Sequence, residues 1–507
     1  MASDSAVPMS GPRLLFAGMI LAVSNFMVVL DTTIANVSVP HIAGSLGISS
    51  SQGTWVITSY AVAEAITVPL TGWLAQRFGA VRSFVMAMIG FAAFSMLCGL
   101  ADSLGMLVLF RVGQGLCGGP LMPLSQTLLL RIFPREKHAA AMGLWAMTTV
   151  VAPIAGPILG GVISDNWSWP WVFFINLPIA AVCVVAGIGL LRPAETPTEN
   201  RGIDKVGLAL LVLSVGALQI MLDIGREHDW FASTEVVVLA VVAAIGFAVF
   251  IAWELTEEHP AVDLRIMRHR GFAVAVTALS LAFGAFFATV VIIPQWLQGY
   301  LGYTATDAGH VTAFTGVLAV IMSPIVAQLT TRVDPRALIC FGIFWLGCTS
   351  LLRAFWNTGA DFWTLALPQL MQGFGMPFFF VPLTTLALGA VLPQEMASAA
   401  GLMNFLRTMA GAVGTSIATT AWDDQARVAR SDLVGVLNQP DQAMQTLQGA
   451  GFTLEQARGQ IERLVQQESV TLSTNDIFLS AAMLFAFSAL VIWLAPRPRK
   501  VQAGPAH

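Results

Sequence analysis

From residue 13 onward the chain alternates long apolar runs with short polar stretches. Each run suffices to cross the hydrocarbon core of a bilayer as an α-helix, which takes about 20 residues. Fourteen spans fit the pattern, at approximately 13–34, 52–74, 81–100, 105–129, 138–162, 170–191, 206–225, 232–254, 271–296, 307–330, 337–355, 362–389, 397–421 and 475–495. The prediction is an all-α polytopic membrane protein. Residues 423–474 break the pattern, being rich in Gln, Glu, Asp and Arg. Within them LEQARGQIERLVQQ places Leu454, Ala457, Ile461 and Leu464 near helical spacing. That predicts a small cap or docking surface outside the membrane, or else a mobile linker.

Composition agrees. Of 507 residues, 56% are hydrophobic and 11% charged, against about 25% charged in a soluble domain; mean hydropathy is +0.74. Basic residues gather in alternate loops: Arg77 and Arg82; Arg131, Arg135 and Lys137; Arg192, Arg201 and Lys205; Arg265, Arg268 and Arg270; Arg332 and Arg336; then Arg497, Arg499 and Lys500 in the tail. The remaining loops before the last carry only Arg226. Because basic loops stay on the cytoplasmic side, both termini are expected to be cytoplasmic. Residues 1–13 lack a basic start and a cleavage site, so the first run is expected to remain as a span. A net charge of −4 without a basic run gives no nucleic-acid surface. Cys98, Cys117, Cys183, Cys340 and Cys348 lie in or beside apolar runs without CxxC spacing. They read as small buried hydrophobes, not as a metal site or disulfides.

The chain faintly repeats itself. RVGQGLCGGPLMP (111–123) and QLMQGFGMPFFFVP (369–382) share a Gln-Gly followed by two prolines. Gly143 and Gly156 lie as far apart as Gly401 and Gly414. The echo predicts two six-helix halves with two added helices between them (6+2+6): residues 1–200, 201–265 and 266–507, the last including loop 423–474. Internal repeats and Gly/Pro-interrupted spans are frequent in secondary transporters. There is no GxxxxGK[ST] phosphate loop, no visible selectivity filter and no catalytic constellation, so an ion gradient is the expected energy source and no enzyme activity is expected.

Charges inside the spans carry the most chemistry. Glu64, in YAVAEAITVPL, falls near the middle of span two. A central acid costs roughly 3 kcal/mol on insertion scales, and removal from water favours a protonated carboxyl. Glu64 is therefore either a proton-coupling residue or half of a permanent ion pair, with Arg111 a possible partner. Asp31, in VVLDTTIANVSVP, lies nearer the outer end of span one; it either titrates or accepts hydrogen bonds from Thr32, Thr33 or the backbone. Arg111 in span four and Arg407 in span 13 keep their charge and should face water or an acid, Arg407 compensating Asp31 or Glu64. Asp223 and Glu254, near span ends, are explained by solvation. Phe283, Phe286, Phe287, Gln295 and Trp296 in span nine, with Gln372, Phe378, Phe379 and Phe380 in span 12, are candidates for an apolar cavity with polar orienting groups. For each, packing in the core or against lipid is the competing role, since consecutive phenylalanines must point in different directions.

Two loop and packing motifs remain. GWLAQRFGAVR (72–82) combines Gly72 and Gly79, which permit close approach and a sharp turn, with Arg77 and Arg82, which can engage acids or helix C-termini. APIAGPILGG (152–161) has Pro153 and Pro157 to bend a helix, and Gly156, Gly160 and Gly161 to let helices approach closely. The contact is either a sliding one or static packing.

GWLAQRFGAVR resembles the 2–3 loop signature of the major facilitator superfamily, with Gln76 where that pattern usually has an acid. RVGQG resembles its fourth-span motif, and APIAGPILGG the fifth-span motif associated with antiporters. LDTTIANVSVP and PWVFFINLPIA resemble the first- and sixth-span signatures of the fourteen-span drug:proton antiporters, though Pro170 and Val172 depart from the latter. SQGTWVITSY, QGLCGGPLMPLSQTLL and LQIMLD are similar to the EmrB-type exporters. The resemblance runs from about residue 12 to 495. It implies export of hydrophobic or amphipathic compounds across a bacterial inner membrane, with protons as coupling ions and no other cofactor. It also implies partnership with a periplasmic membrane-fusion adaptor and an outer-membrane channel. A proton-coupled importer, or a scaffold acting through residues 423–474, are the alternatives.

Overall fold

The structure, a computed structural model, describes residues 9, 11–199, 202–436 and 440–497; Arg201, Arg499 and Lys500 lie outside them. Every regular element among the described residues is a helix. In chain order these are α1 (Gly11–Leu46), α2 (Ser50–Gly53), α3 (Trp55–Thr67), α4 (Thr71–Phe78), α5 (Ala80–Gly99), α6 (Leu104–Gly118), α7 (Leu121–Ile132), α8 (His138–Asn166), α9 (Trp171–Phe174) and α10 (Asn176–Leu190). Then come α11 (Lys205–Ile224), α12 (Thr234–Thr256), α13 (Arg270–Tyr300), α14 (Ala305–Thr330), α15 (Pro335–Arg353), α16 (Phe362–Gly389), α17 (Met396–Val436), α18 (Pro440–Gly449) and α19 (Leu454–Val491).

Among the described residues, eleven helical runs are long and apolar enough to cross a membrane, or twelve if a bent pair in α8 counts as one. Fourteen were expected, and the difference has physical causes. The run expected at 52–74 is split into α3 and α4, because Pro69 has no amide proton to continue the ladder. The fifth bends by 44° between Pro153 and Ile158, where the two prolines stand; the side chain of Pro157 lies outside the described residues. Helix α17 carries Asn404 and Arg407 in its first turns and continues into a polar stretch.

Within 423–474 the described residues are mostly helical, belonging to α17, α18 and α19. α17 runs on to Val436 and α19 begins at Leu454, so both helices extend past the apolar region, tied by Arg430–Glu462 (2.7 Å). The expected helix is present, but its stripe is not a buried face: Ala457 is buried, while Leu454 and Leu464 are exposed.

Helices α1 to α10 pack mainly on one another, as do α13 to α17 with α19. The repeat is visible in how the glycines pack. Gly156 approaches Thr33 and Ile34 of α1, and Gly414 approaches Gly284 of α13, the first helix of each set. Gly143 meets Ala327 and Ser323 of α14, and Gly401 meets Val68 and Thr71, in both cases across to the other set. Gly115 lies against the Tyr60 carbonyl of α3, and Gly373 against the Thr315 carbonyl of α14. Gly160 also packs on Ile34, whereas Gly161 has open space around it. The 152–161 motif thus packs α8 on α1 through Gly156 and Gly160, while Ile158 lies 3.9 Å from the Cβ position of Gly309 in α14.

Candidate functional site

Two helix breaks define the level of the site. α3 ends before Pro69 and α6 ends at Gly118, before Gly119 and Pro120. The breaks face each other: a Cβ at Gly119 would lie 2.8 Å from the Glu64 carbonyl and 3.1 Å from the Val68 amide. Interrupted helices at membrane depth are tolerated where they line a cavity or are buried in protein. Glu64 sits on the last turn before the break, half-buried. Among the described residues its side chain makes no hydrogen bond and no direct ion pair. The charges that act on it are Arg407 first, then Arg111 and Asp31.

Arg407 reaches Glu64's level from α17, eleven residues or roughly 16 Å from the start of that helix. It is 4% exposed. Its guanidinium stands over Phe283 (5.1 Å) and Trp145 (5.5 Å), with the Met122 Sδ 3.7 Å away, and its Nε has no hydrogen-bond partner among the described residues. Phe283 is the hub of an aromatic group with Phe287 (4.7 Å), Phe380 (5.8 Å) and Phe286 (6.1 Å). Phe379 joins it through Phe380 (4.6 Å). Glu64 of α3 and Arg407 of α17 thus act on each other's charge from the two sets of helices, and Arg407 lies on an apolar wall built by α13 and α16.

The other sequence candidates lie elsewhere. Arg111 does not pair with Glu64. Its Nη1 donates to Asp31 (2.7 Å) and to Gln114 (2.9 Å), and its Nε to the Val56 carbonyl (3.0 Å). Its guanidinium stacks over Tyr60 at 4.2 Å. Gln114 (2.9 Å) and Asn176 (2.6 Å) both donate to the second Asp31 oxygen. Thr32 and Thr33 turn back to carbonyls of their own helix and leave Asp31 alone. Asp31 is 0% and Arg111 1% exposed, so the pair is a saturated anchor joining α1, α3, α6 and α10. Glu254 is also buried, not solvated, and accepts from the Val262 amide (3.1 Å).

Gln372 accepts from the buried Arg353, as Gln369 does (2.9 Å), and so holds helices together. Trp296 is fully buried, stacks on Trp356 (5.6 Å) and donates to Thr471 (3.0 Å), away from the Phe283 group. Gln295 is exposed. Phe378 packs with Phe341 (5.1 Å) and Phe374 (5.3 Å) in a separate cluster. Adjacent phenylalanines on one helix diverge by about 100° each, which sends Phe380 to the site and Phe378 away from it.

The 72–82 motif packs α4 against α17 at the near end of the bundle, the end where α1 begins. A Cβ at Gly72 would meet Ser398 Cα at 2.8 Å, and one at Gly401 would meet the Val68 carbonyl at 2.9 Å. Asn404 donates to Gln126 across the same interface (2.6 Å). Gly79 takes φ +91, which turns the chain from α4 into α5. At that turn Glu195, which no sequence motif flagged, accepts the Val81 (2.9 Å) and Arg82 (3.1 Å) amides. Arg82 also faces it at 3.9 Å, whereas Arg77 makes no such contact among the described residues. A carboxylate at the first turn of a helix satisfies amides that lack intrahelical partners.

The sequence profile of the Major Facilitator Superfamily matches residues 21–415. The multidrug export protein EmrB of Escherichia coli (strain K12) is 46% identical over 496 residues, covering 97% of each chain. The fatty acid resistance protein FarB of Neisseria gonorrhoeae is 41% identical over 495 residues, covering 97% of this chain and 98% of its own. The human organic anion transporter MFSD10 superposes with a TM-score of 0.60 at 15% identity, over 95% of this chain and 100% of that one, a likeness of fold.

Proposed function

The chain belongs to the Major Facilitator Superfamily, and from that premise we propose that it exports hydrophobic or amphipathic drugs and toxins in exchange for protons. It is a transporter and not an enzyme. Its relatives include a multidrug export protein, which supports export as the direction of transport. The observation that carries the coupling mechanism is Glu64: a half-buried acid with no hydrogen bond or ion pair among the described residues, acted on most strongly by the charge of Arg407, which itself stands over Phe283. A carboxyl without partners can gain a proton without breaking an ion pair; Asp31, with both oxygens engaged, cannot.

In this reading the eleven membrane-length runs, together with α3–α4, α8 and α17, cross an inner membrane as six, two and six. Both termini and the near end are cytoplasmic. The close approaches of Gly72 to Ser398 and of Gly401 to Val68 support reading this as the state closed on that side. From the periplasmic side a proton neutralises Glu64 and weakens its hold on bound substrate. The protonated protein then opens the near end, releases the proton inside and accepts a lipophilic compound against the aromatic wall. Exchange requires that proton and substrate differ in affinity between the two states, since equal affinity shifts no population. The α17–α19 extension, on the far side, is the proposed docking surface for a membrane-fusion adaptor leading to an outer-membrane channel.

The test is purified protein in sealed vesicles with an acidic exterior, loaded with fluorescent lipophilic dyes. Dye-linked proton entry is expected, and Glu64→Gln should abolish coupling while leaving folded yield unchanged. Proton-linked dye movement by that variant, or accumulation in place of exchange, would overturn the reading.

A further inference from the structure

The two sets of helices meet along two seams, and they are treated differently. The seam between α3 and α17 is covered by α11. Val62 faces Gly216, Ser416 donates to the Leu222 carbonyl (3.1 Å), and Arg226 pairs with Asp423 (2.5 Å). The seam between α8 and α14 is left open, and a groove of about 550 Å³ runs along its near-end half. Gly143 packed on Ala327 brings the helices together there. The walls are apolar, with Leu144 and Met147 from α8 and Val320 from α14. The mouth is polar and net basic: Lys137 stands on one side, Arg332 on the other, with Glu136 beside Lys137. All three are exposed.

We propose that this groove holds an acyl chain of an anionic glycerophospholipid whose phosphate lies between Lys137 and Arg332. An apolar slot with a basic mouth at the edge of the spans matches a lipid's two chemistries at the right depths. Basic side chains next to a membrane surface attract anionic headgroups. Lys137 belongs to the first set of helices and Arg332 to the second, so the lipid bridges the seam. It adds to the closure made by Gly72 and Ser398 on the opposite side. The inference rests on the membrane placement of the chain and is independent of Glu64, so the two fail separately.

The probe is an equal mixture of phosphatidylglycerol and phosphatidylcholine added to delipidated full-length protein. Retained lipid is counted by native mass spectrometry. The wild type should retain phosphatidylglycerol preferentially. Each basic residue near a bilayer surface strengthens anionic-lipid binding about fivefold, so K137Q/R332Q should retain about thirtyfold less and each single variant about fivefold less. K137R/R332K should restore retention, and filling the slot with Leu144→Trp should expel both lipids. Gel filtration checks that the variants are folded, and the single variants suffice if the double one is not. Equal retention of both lipids by the wild type, or wild-type retention by the folded neutral variants, would overturn the proposal. Protection of a cysteine at Ala140 by a transported dye but not by phosphatidylglycerol would assign the groove to substrate and also overturn it.

Discussion

Replacing Gly72 with alanine should loosen the closed near end without touching the site. The added methyl would lie 2.8 Å from Ser398 Cα and 2.7 Å from its Cβ. Neither atom belongs to a flexible side-chain tip, so relief requires α4 and α17 to separate. Overpacking of this kind costs about 1–3 kcal/mol, which is about a fivefold to 150-fold shift toward states with these helices apart. Spin labels at the exposed residues Phe78 and Leu392, in a background without the native cysteines, report that separation by electron–electron resonance. The Gly72→Ala distribution should gain a long-distance population, and transport should fall. Gly161→Ala is the matched control, since nothing lies within 4 Å of the added methyl. An unchanged distribution in Gly72→Ala, or the same change in Gly161→Ala, would refute the closure.

Asp31→Asn leaves Arg111 buried and uncompensated, which costs about 3–5 kcal/mol; thermal unfolding of the purified variant should drop sharply, whereas Glu64→Gln should unfold like wild type. Arg407→Gln removes the cation over Phe283 and should lower dye transport more than Arg407→Lys, which keeps the charge; equal activities would remove the charge from the mechanism. At the near end, burial alone would push the Glu395 carboxyl up, but the Leu392 amide, His269 and Arg268 outweigh it and hold it below its ordinary range. A depressed value stabilises the fold above the ordinary carboxylate range and ceases to do so as pH falls through the lowered value. The acid limb of the unfolding temperature against pH should therefore flatten in Glu395→Gln, and an unchanged limb would show that the contact contributes nothing.

The helical, membrane-crossing character was legible because hydropathy and length are local properties. The echo between Gln114-Gly115 and Gln372-Gly373 was legible too. Both glutamines accept from buried arginines, and both glycines seat against a neighbouring helix carbonyl. Partner choice was not legible. An ion pair with Arg111 is only one of the alternatives the sequence leaves for Glu64; in the structure Arg111, Gln114 and Asn176 engage Asp31 instead, and no linear pattern specifies which faces of α1, α6 and α10 meet. Glu195 was invisible for the same reason: its partner amides, at the start of α5, lie over a hundred residues away. The aromatic candidates divided according to helix rotation, with Phe283 and Phe380 at the site and Trp296 and Phe378 in separate packing clusters.

The most direct measurement is proton release by the purified protein on addition of a transported dye, read with a pH indicator in weakly buffered solution near neutrality. If Glu64 carries the coupling proton, the wild type releases protons in proportion to dye bound, and Glu64→Gln binds dye but releases none. Undiminished release by Glu64→Gln would place the coupling proton on another group.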